Sequence, residues 1–193
     1  MASTRAWVAT AVLLTCIFTV PTDGWSRRRR CPSHTSALPG AINRWDQAFR
    51  FVCPSGQAIS RVQSVHCNHA EDRVWRFECK SVPGLSSFTQ RYWSSWINAF
   101  DGPMTYACPY NSIVTGFHSE HSNNSEDRRW KVMCSGKEGM GISNRYIDEY
   151  ANIRDGRMNY YVPYGFYIRG MHGHHDNGSE DRLYRFDLCR INL

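Results

Sequence analysis

One ten-residue phrase is written three times in this chain, and it limits the fold more than any other feature. The copies are His66-Cys67-Asn68-His69-Ala70-Glu71-Asp72-Arg73-Val74-Trp75, His121-Ser122-Asn123-Asn124-Ser125-Glu126-Asp127-Arg128-Arg129-Trp130 and His175-Asp176-Asn177-Gly178-Ser179-Glu180-Asp181-Arg182-Leu183-Tyr184. The shared pattern is H-x-N-x-[AS]-E-D-R-x-[WY], and the copies start 55 and then 54 residues apart. A period of that length marks an internal triplication in which each unit leans on its neighbours.

The first residues have the layout of a secretory signal: Arg5, an apolar run from Ala6 to Val20, then small residues Thr22 and Gly24 before a cleavage point near Trp25. Residues 1–24 are therefore expected to be a signal peptide. No later apolar stretch has the length of a membrane span, so membrane insertion is not expected. Export makes disulfides the expected state of the cysteines. Seven cysteines follow residue 24. Cys53 and Cys79 are 26 residues apart, as are Cys108 and Cys134, so each pair would clamp the first and last strand of its repeat. By loop entropy each clamp contributes roughly 3–4 kcal/mol. The third repeat has Val162 where a cysteine would stand. A Cys31–Cys189 bridge, leaving Cys67 over, is the first choice, and Cys31–Cys67 with Cys189 free is the alternative.

The formal charge of +6 owes much to Arg27-Arg28-Arg29-Arg30. That run reads as a solvated tail, a processing site or a polyanion-docking strip. Without it the exported chain is close to neutral, so charge alone does not imply a broad polyanion-binding face. Nucleic acid is not an expected partner.

Residues 25–40 form a basic segment and then a Pro/Ser/Gly-rich loop. Three repeats follow, 41–97, 98–151 and 152–193, together one domain at 41–193. Each opens on Asn and Asp (Asn43/Asp46, Asn98/Asp101, Asn152/Asp155). Apolar residues then alternate with period two, as in Phe49/Phe51/Cys53, Trp75/Phe77/Cys79 and Trp130/Val132/Cys134. Middle strands are expected over 58–65, 113–120 and 167–174, with Gly116 and Gly170 suggesting bulges. Further strands are expected in the linkers near 92–97 and 146–151. Helix signals are weak. The fold class is therefore all-β, disulfide-stapled, with pseudo-threefold symmetry, prism-like in preference to a β-trefoil.

The D-R-x-[WY]-x-[FV] strands resemble the dermatopontin family. So do the N-x-x-D…[FY]-x-C-P openings and Tyr167-Ile168-Arg169-Gly170, and the likeness covers about residues 41 to 191. It implies a secreted extracellular-matrix or adhesion protein rather than an enzyme. Its partners would be extracellular glycans, glycosaminoglycans, proteoglycans and matrix proteins. The chain departs from the vertebrate pattern. It is basic, has fewer cysteines, lacks a Tyr-rich acidic N-terminus and adds His-x-Asn-x-x-Glu before Asp-Arg, so an invertebrate-type member is expected.

Two uses of the repeated phrase compete. Asp72/Arg73, Asp127/Arg128 and Asp181/Arg182, next to Trp75, Trp130 and Tyr184, suit a scaffold in which Asp and Arg pair and the aromatic plugs the core. His66/Asn68/Glu71, His121/Asn123/Glu126 and His175/Asn177/Glu180 suit three equivalent carbohydrate sites. There amide and carboxylate groups meet hydroxyls and the neighbouring ring stacks on the sugar. Hydrated turns that only brace local structure are the plain alternative. His172, His174 and His175 crowd Asp176, yet no metal-ligand signature appears, and no metal or other cofactor is expected. Asn123-Asn124-Ser125 and Asn177-Gly178-Ser179 are glycosylation sequons, and a glycan there excludes a ligand at the same asparagine. No nucleophile motif or phosphate loop is present, and adjacent Glu-Asp pairs are poor geometry for acid–base hydrolysis. The competing function is a structural matrix or mineral-associated protein. It would self-associate through Trp93, Trp96 and an unpaired cysteine, as a homo-oligomer.

Overall fold

A computed structural model describes residues 30–193. The expected signal peptide and Arg27, Arg28 and Arg29 lie outside the described residues, and Arg30 is exposed. A one-turn helix, α1 (His34–Ala37), is followed by eleven strands: β1 (Phe49–Val52), β2 (Gln57–Cys67), β3 (Asp72–Ser81), β4 (Gln90–Trp93), β5 (Met104–Ala107), β6 (Ile113–Ser122), β7 (Asp127–Gly136), β8 (Gly141–Ile147), β9 (Met158–Tyr161), β10 (Tyr167–Asp176) and β11 (Asp181–Asn192). Each repeat supplies one short strand and one long hairpin, with the phrase at the hairpin turn.

The three antiparallel sheets have the orders β3-β2-β9, β1-β6-β7-β4 and β5-β10-β11-β8. The short strand does not pair with its own repeat's hairpin. β1 pairs with β6, β5 with β10, and β9 returns to β2. Each repeat thus hands a strand to the next and the third hands one to the first. This is compatible with the prism-like expectation. β4 and β8 extend the second and third sheets, starting a few residues earlier than expected. Among the described residues the first hairpin has no such strand. Its edge is covered by the segment read as loop, where Ser33 caps α1 and Ala37 and Leu38 pack on Val74.

Equivalent residues from all three repeats fill one core: Phe49/Met104/Met158, Val62/Phe117/Met171, Phe77/Val132/Phe186. At its centre Trp75, Trp130 and Tyr184 meet edge to face. Centroids are 4.8 Å apart for the two tryptophans, and Tyr184 stands 5.2 and 5.8 Å from Trp75 and Trp130. Such pairs add to the free energy of area burial. A second cluster at the far end, including Ala58, Val82, Phe88, Ile113 and Tyr167, closes the base.

The disulfides are Cys53–Cys79, Cys108–Cys134 and Cys31–Cys67, with Cys189 free and buried. The Cys31–Cys189 expectation fails for a geometric reason. The strand register matches Ile59 with Cys79, Val114 with Cys134, and Ile168 with Leu188. Leu188 is therefore the counterpart of the bridged cysteines, and it packs with Val162 in the main core. Cys189 lies one residue on, so it faces the other side of the strand and enters the basal cluster. It is eight residues, roughly 25 Å of strand, from the hairpin turn. Cys31 sits at the turn end, against Cys67. Burial pushes the Cys189 thiol up to about 12.

Bulges interrupt all three hairpins, at Ile59/Arg61, Val114/Gly116 and Ile168/Gly170. The first has Arg61 where the others have glycine, so the bulge itself does not demand glycine. At Gly116 and Gly170 the donated strand leaves no room for a Cβ on the backbone as it stands. A Cβ on Gly170 would lie 2.1 Å from the Tyr106 carbonyl oxygen and 2.7 Å from Ala107 Cα. Gly170→Ala should force β5 off β10 and cost about 1–3 kcal/mol. Gly141→Ala, whose Cβ meets nothing nearer than 3.9 Å, should leave the melting temperature nearly unchanged. Equal melting temperatures for the two variants would contradict this account.

Candidate functional site

The three hairpin turns gather at one end of the molecule, and the phrase divides there into an inner and an outer set. The inner set is Asp and Arg. Each arginine reaches the aspartate of the preceding repeat, not its own neighbour. Arg128 binds Asp72 at 2.6 and 2.7 Å, Arg182 binds Asp127 at 3.1 and 2.6 Å, and Arg73 binds Asp181 at 2.6 and 2.5 Å. All six side chains are buried. Three two-pronged pairs thus close a ring between repeats. A pair within one repeat, the simplest sequence reading, is not what forms.

The repeat openings lock onto this ring. The backbone N–H groups of Asp46, Asp101 and Asp155 donate to the second oxygens of Asp72, Asp127 and Asp181 at 2.8, 2.9 and 2.9 Å. All three donors have positive φ, between 54° and 61°. Aspartate tolerates that left-handed conformation better than most residues. Asn43, Asn98 and Asn152 accept from the N–H of Trp75, Trp130 and Tyr184 and donate to the carbonyls of Arg73, Arg128 and Arg182. The N-x-x-D openings are therefore braces for the D-R strands, a pairing the sequence suggested only through its constant offset.

Burial works to raise the Asp72 carboxyl, but Arg128 and His121 overcome it and hold it well below the usual carboxylate range. Asp127 is also raised by burial and held low on balance by His175 and Arg182. A carboxyl lowered in the fold contributes stability that is complete above its unfolded value and lost as pH falls toward the folded one. The ring is thus a source of acid lability.

The histidines stand between the sets. His121 Nδ1 is 3.2 Å from Asp72 and His175 Nδ1 is 3.3 Å from Asp127, both buried partners, whereas His66 Nδ1 faces the more exposed Asp155 at 3.3 Å. His175 Nε2 also meets Glu180 at 3.1 Å, whereas His66 Nε2 is 3.9 Å from Glu71. Burial alone would lower both rings. It prevails at His66, whereas Asp127 and Glu180 raise His175. Donor atoms of Asp46/Asp72/His121, Asp101/Asp127/His175 and His66/Asp155/Asp181 lie within 4.8 Å of one another, close enough for a cation. In each trio an arginine already occupies both oxygens of one aspartate, so a cation would have to displace it.

The outer set surrounds open space. Glu71, Glu126 and Glu180 occupy the turns with φ of 42°, 42° and 44°. Together with the histidines and the ring they enclose an axial void of about 10 Å3, too small for a sugar. Outside it the turns frame two unequal clefts among the described residues. The larger, about 760 Å3, lies between the first and third turns against Asn68, His69, Asp155, Asn177, Ser179 and Glu180. The smaller, about 200 Å3, lies between the second and third against Asp101, Asn123, Asn124, Glu126 and Asn177. Asn68 donates to Asp155 at 3.2 Å across the larger cleft. Both sequon asparagines, Asn123 and Asn177, are exposed.

Three equivalent sugar sites with stacking rings are therefore not what the turns make. Trp75, Trp130 and Tyr184 are 1, 0 and 1% exposed and belong to the core. Asp72, Asp127, Asp181, Arg73, Arg128 and Arg182 are consumed by the ring. His172 and His174 are carried on the strand stem of β10 rather than at its turn.

Comparison with known proteins agrees with this frame. Residues 43–193 match the model of the dermatopontin family. The chain belongs to that family. Dermatopontins are extracellular-matrix proteins. The chain is 37% identical over 149 residues to the dermatopontin of Biomphalaria glabrata, covering 77% of this chain and 99% of that one. It is 34% identical over 152 residues to the hemagglutinin/amebocyte aggregation factor of Limulus polyphemus, covering 78% and 87%. Over 155 residues it is 36% identical to Millepora cytotoxin-1 of Millepora dichotoma, covering 77% of this chain and 65% of that protein. No solved structure matches the chain. Among the described residues no helix is long and apolar enough to cross a membrane.

Two outcomes test the geometry. Arg128→Met leaves Asp72 buried and charged, and should cost roughly 3–5 kcal/mol in denaturant unfolding, with part recovered when Asp72→Asn is added. In an NMR titration of the ring protons, His66 should titrate below the ordinary histidine value and His175 above it. The reverse order would refute the assignment of their partners.

Proposed function

We propose that the chain is an extracellular adhesion protein that binds neutral carbohydrate at the turn face, in the cleft between the first and third hairpins. The observation that carries this reading is the lining of that cleft. It offers amides (Asn68, Asn177), carboxylates (Asp155, Glu180) and a hydroxyl (Ser179), all near the surface and held by turns anchored in a rigid ring. Carboxylates and amides pair with adjacent sugar hydroxyls, and carboxylates repel an anionic sugar. The smaller cleft, with Asn123 and Glu126, is a second and weaker place for the same chemistry. Two linked weak sites raise avidity. The similarity to a relative named for haemagglutination supports a lectin-like role.

This reading needs no catalysis and treats the protein as a binding module, not an enzyme. It needs Asn177 unmodified, since a glycan there would fill both clefts. The self-assembly reading keeps one observation in its favour. Tyr110 and Tyr164, at the end opposite the turns, are 84 and 100% exposed. Its proposed cysteine link has lost its basis, because Cys67 is bridged and Cys189 is buried. Arg30 is left as the described end of a basic strip available for polyanions or processing.

A glycan array, run with and without EDTA and at two salt concentrations, tests the proposal. Neutral glycans should bind, and binding should survive both salt and EDTA. The triple variant Glu71→Gln, Glu126→Gln, Glu180→Gln should lose it. An array blank for neutral glycans, using protein whose mass shows Asn177 bare, would leave the turns as scaffold.

A further inference from the structure

The outer face of the β1-β6-β7-β4 sheet carries a second cleft, away from the turns. Arg50 on β1 stands opposite His118 on β6, and His118 stands opposite Lys131 on β7. With Trp93 of β4 they line a cleft of about 200 Å3. The Arg50 guanidinium lies over the Trp93 ring at 4.7 Å, and the Lys131 ammonium over Trp96 at 4.5 Å. Among the described residues neither cation has a hydrogen bond or ion pair, so both charges are held on indole faces with their N–H groups unused. Arg129 differs. It too covers Trp96, at 4.0 Å, but its charge is taken by Glu120 at 2.7 Å. His118 is oriented by the Phe49 carbonyl at 3.0 Å, with its other nitrogen 3.4 Å from Glu120. The Trp93 indole nitrogen is buried and has no partner.

The threefold frame provides an internal control. The same cross-sheet row reads Thr105, His172, Arg185 on one sheet and Asn159, Gln63, Arg76 on the other. There the basic residue is satisfied. Arg185 donates to the Asp148 carbonyl, and Arg76 to Glu78 and the Pro39 carbonyl. Building the sheet therefore does not require an arginine at residue 50, a tryptophan at 93, or an unpaired cation at 131. Among the described residues the combination occurs once, where it leaves two cations beside one indole in the same cleft.

We propose that this cleft is a second binding site, for a single sugar ring bearing one sulfate or carboxylate. The anion takes the unused N–H groups of Arg50 and Lys131. The indole edge of Trp93 packs on the sugar's C–H surface. The volume is below that of a drug-sized pocket, which limits the ligand to about one ring. The two clefts sort ligands by charge: the turn cleft is lined with carboxylates, this one with cations. The proposal stands or falls independently of the turn site.

The test is a tryptophan-fluorescence and calorimetric titration of the full exported chain. The probes are N-acetylglucosamine 6-sulfate, glucuronic acid, neutral N-acetylglucosamine and inorganic sulfate. At least one charged sugar should bind tenfold or more tighter than the neutral one, and the two charged arms show which anion is preferred. Arg50→Gln with Lys131→Gln should lose at least tenfold for that sugar. Arg50→Lys with Lys131→Arg should retain most of the binding, and Trp93→Phe should weaken it and remove the fluorescence change. The turn variant with three Glu→Gln changes should bind the charged sugar as the parent does. Matching melting curves establish that the cleft variants are folded. Equal binding of charged and neutral sugars, an unaffected Gln double variant, or inorganic sulfate binding as tightly as the charged sugar would overturn the proposal.

Discussion

Everything at the turn end depends on the ring of aspartate–arginine pairs that crosses from repeat to repeat. Each arginine is buried, so its charge must be answered inside the protein. The answer comes from a different repeat, and that requirement sets where each hairpin stands relative to the next. Breaking one pair leaves a buried charge next to a tryptophan core that has no polar alternative to offer. The N-x-x-D openings then tie the incoming chain to the same carboxylates. Ring, openings and aromatic triad form one unit with the buried histidines beside them, and the outward asparagine and glutamate positions are held as a by-product.

This division of labour explains what the sequence disclosed and what it hid. The triplication, the all-β class, the strand runs and the two local disulfides were legible because they rest on period and offset. The aromatic of the phrase was legible as either core or sugar platform. Its neighbours decided for the core, since Trp75, Trp130 and Tyr184 pack against one another across three repeats. The direction of the Asp–Arg pairing was not legible, because adjacent residues in one strand give no sign that their partners lie 55, 56 and 108 residues away. The cysteine error has the same root. Counting Cys189 as the third-repeat equivalent overlooked a one-residue shift, and in a strand one residue exchanges the two faces. The Trp93 cleft was hidden differently. Its four residues come from four strands, and only the donated strand β1 brings Arg50 to them.

Threefold repetition and functional asymmetry also coexist for a physical reason. Buried positions must satisfy the same packing three times and stay alike. Outward positions answer only to water or to a ligand, and they diverge: a sequon at two turns but not the first, a cation–indole cleft on one sheet of three. Departure from the repeat at a surface position is therefore a more direct pointer to binding than adherence to it.

The circular exchange of strands bears on how the chain is made. β2 receives its outer strand from β9, and Arg73 receives its aspartate from residue 181, so the first repeat stays incomplete until nearly the last residue is synthesised. Contacts of such long sequence separation slow folding, because loop closure precedes any gain from them. The two 26-residue disulfide loops, by contrast, can form within one repeat. Oxidation can therefore stitch each of the first two hairpins to its own short strand while the chain is still emerging, before any sheet is whole. The third repeat has no such stitch and joins last, and its arrival closes the ring for all three.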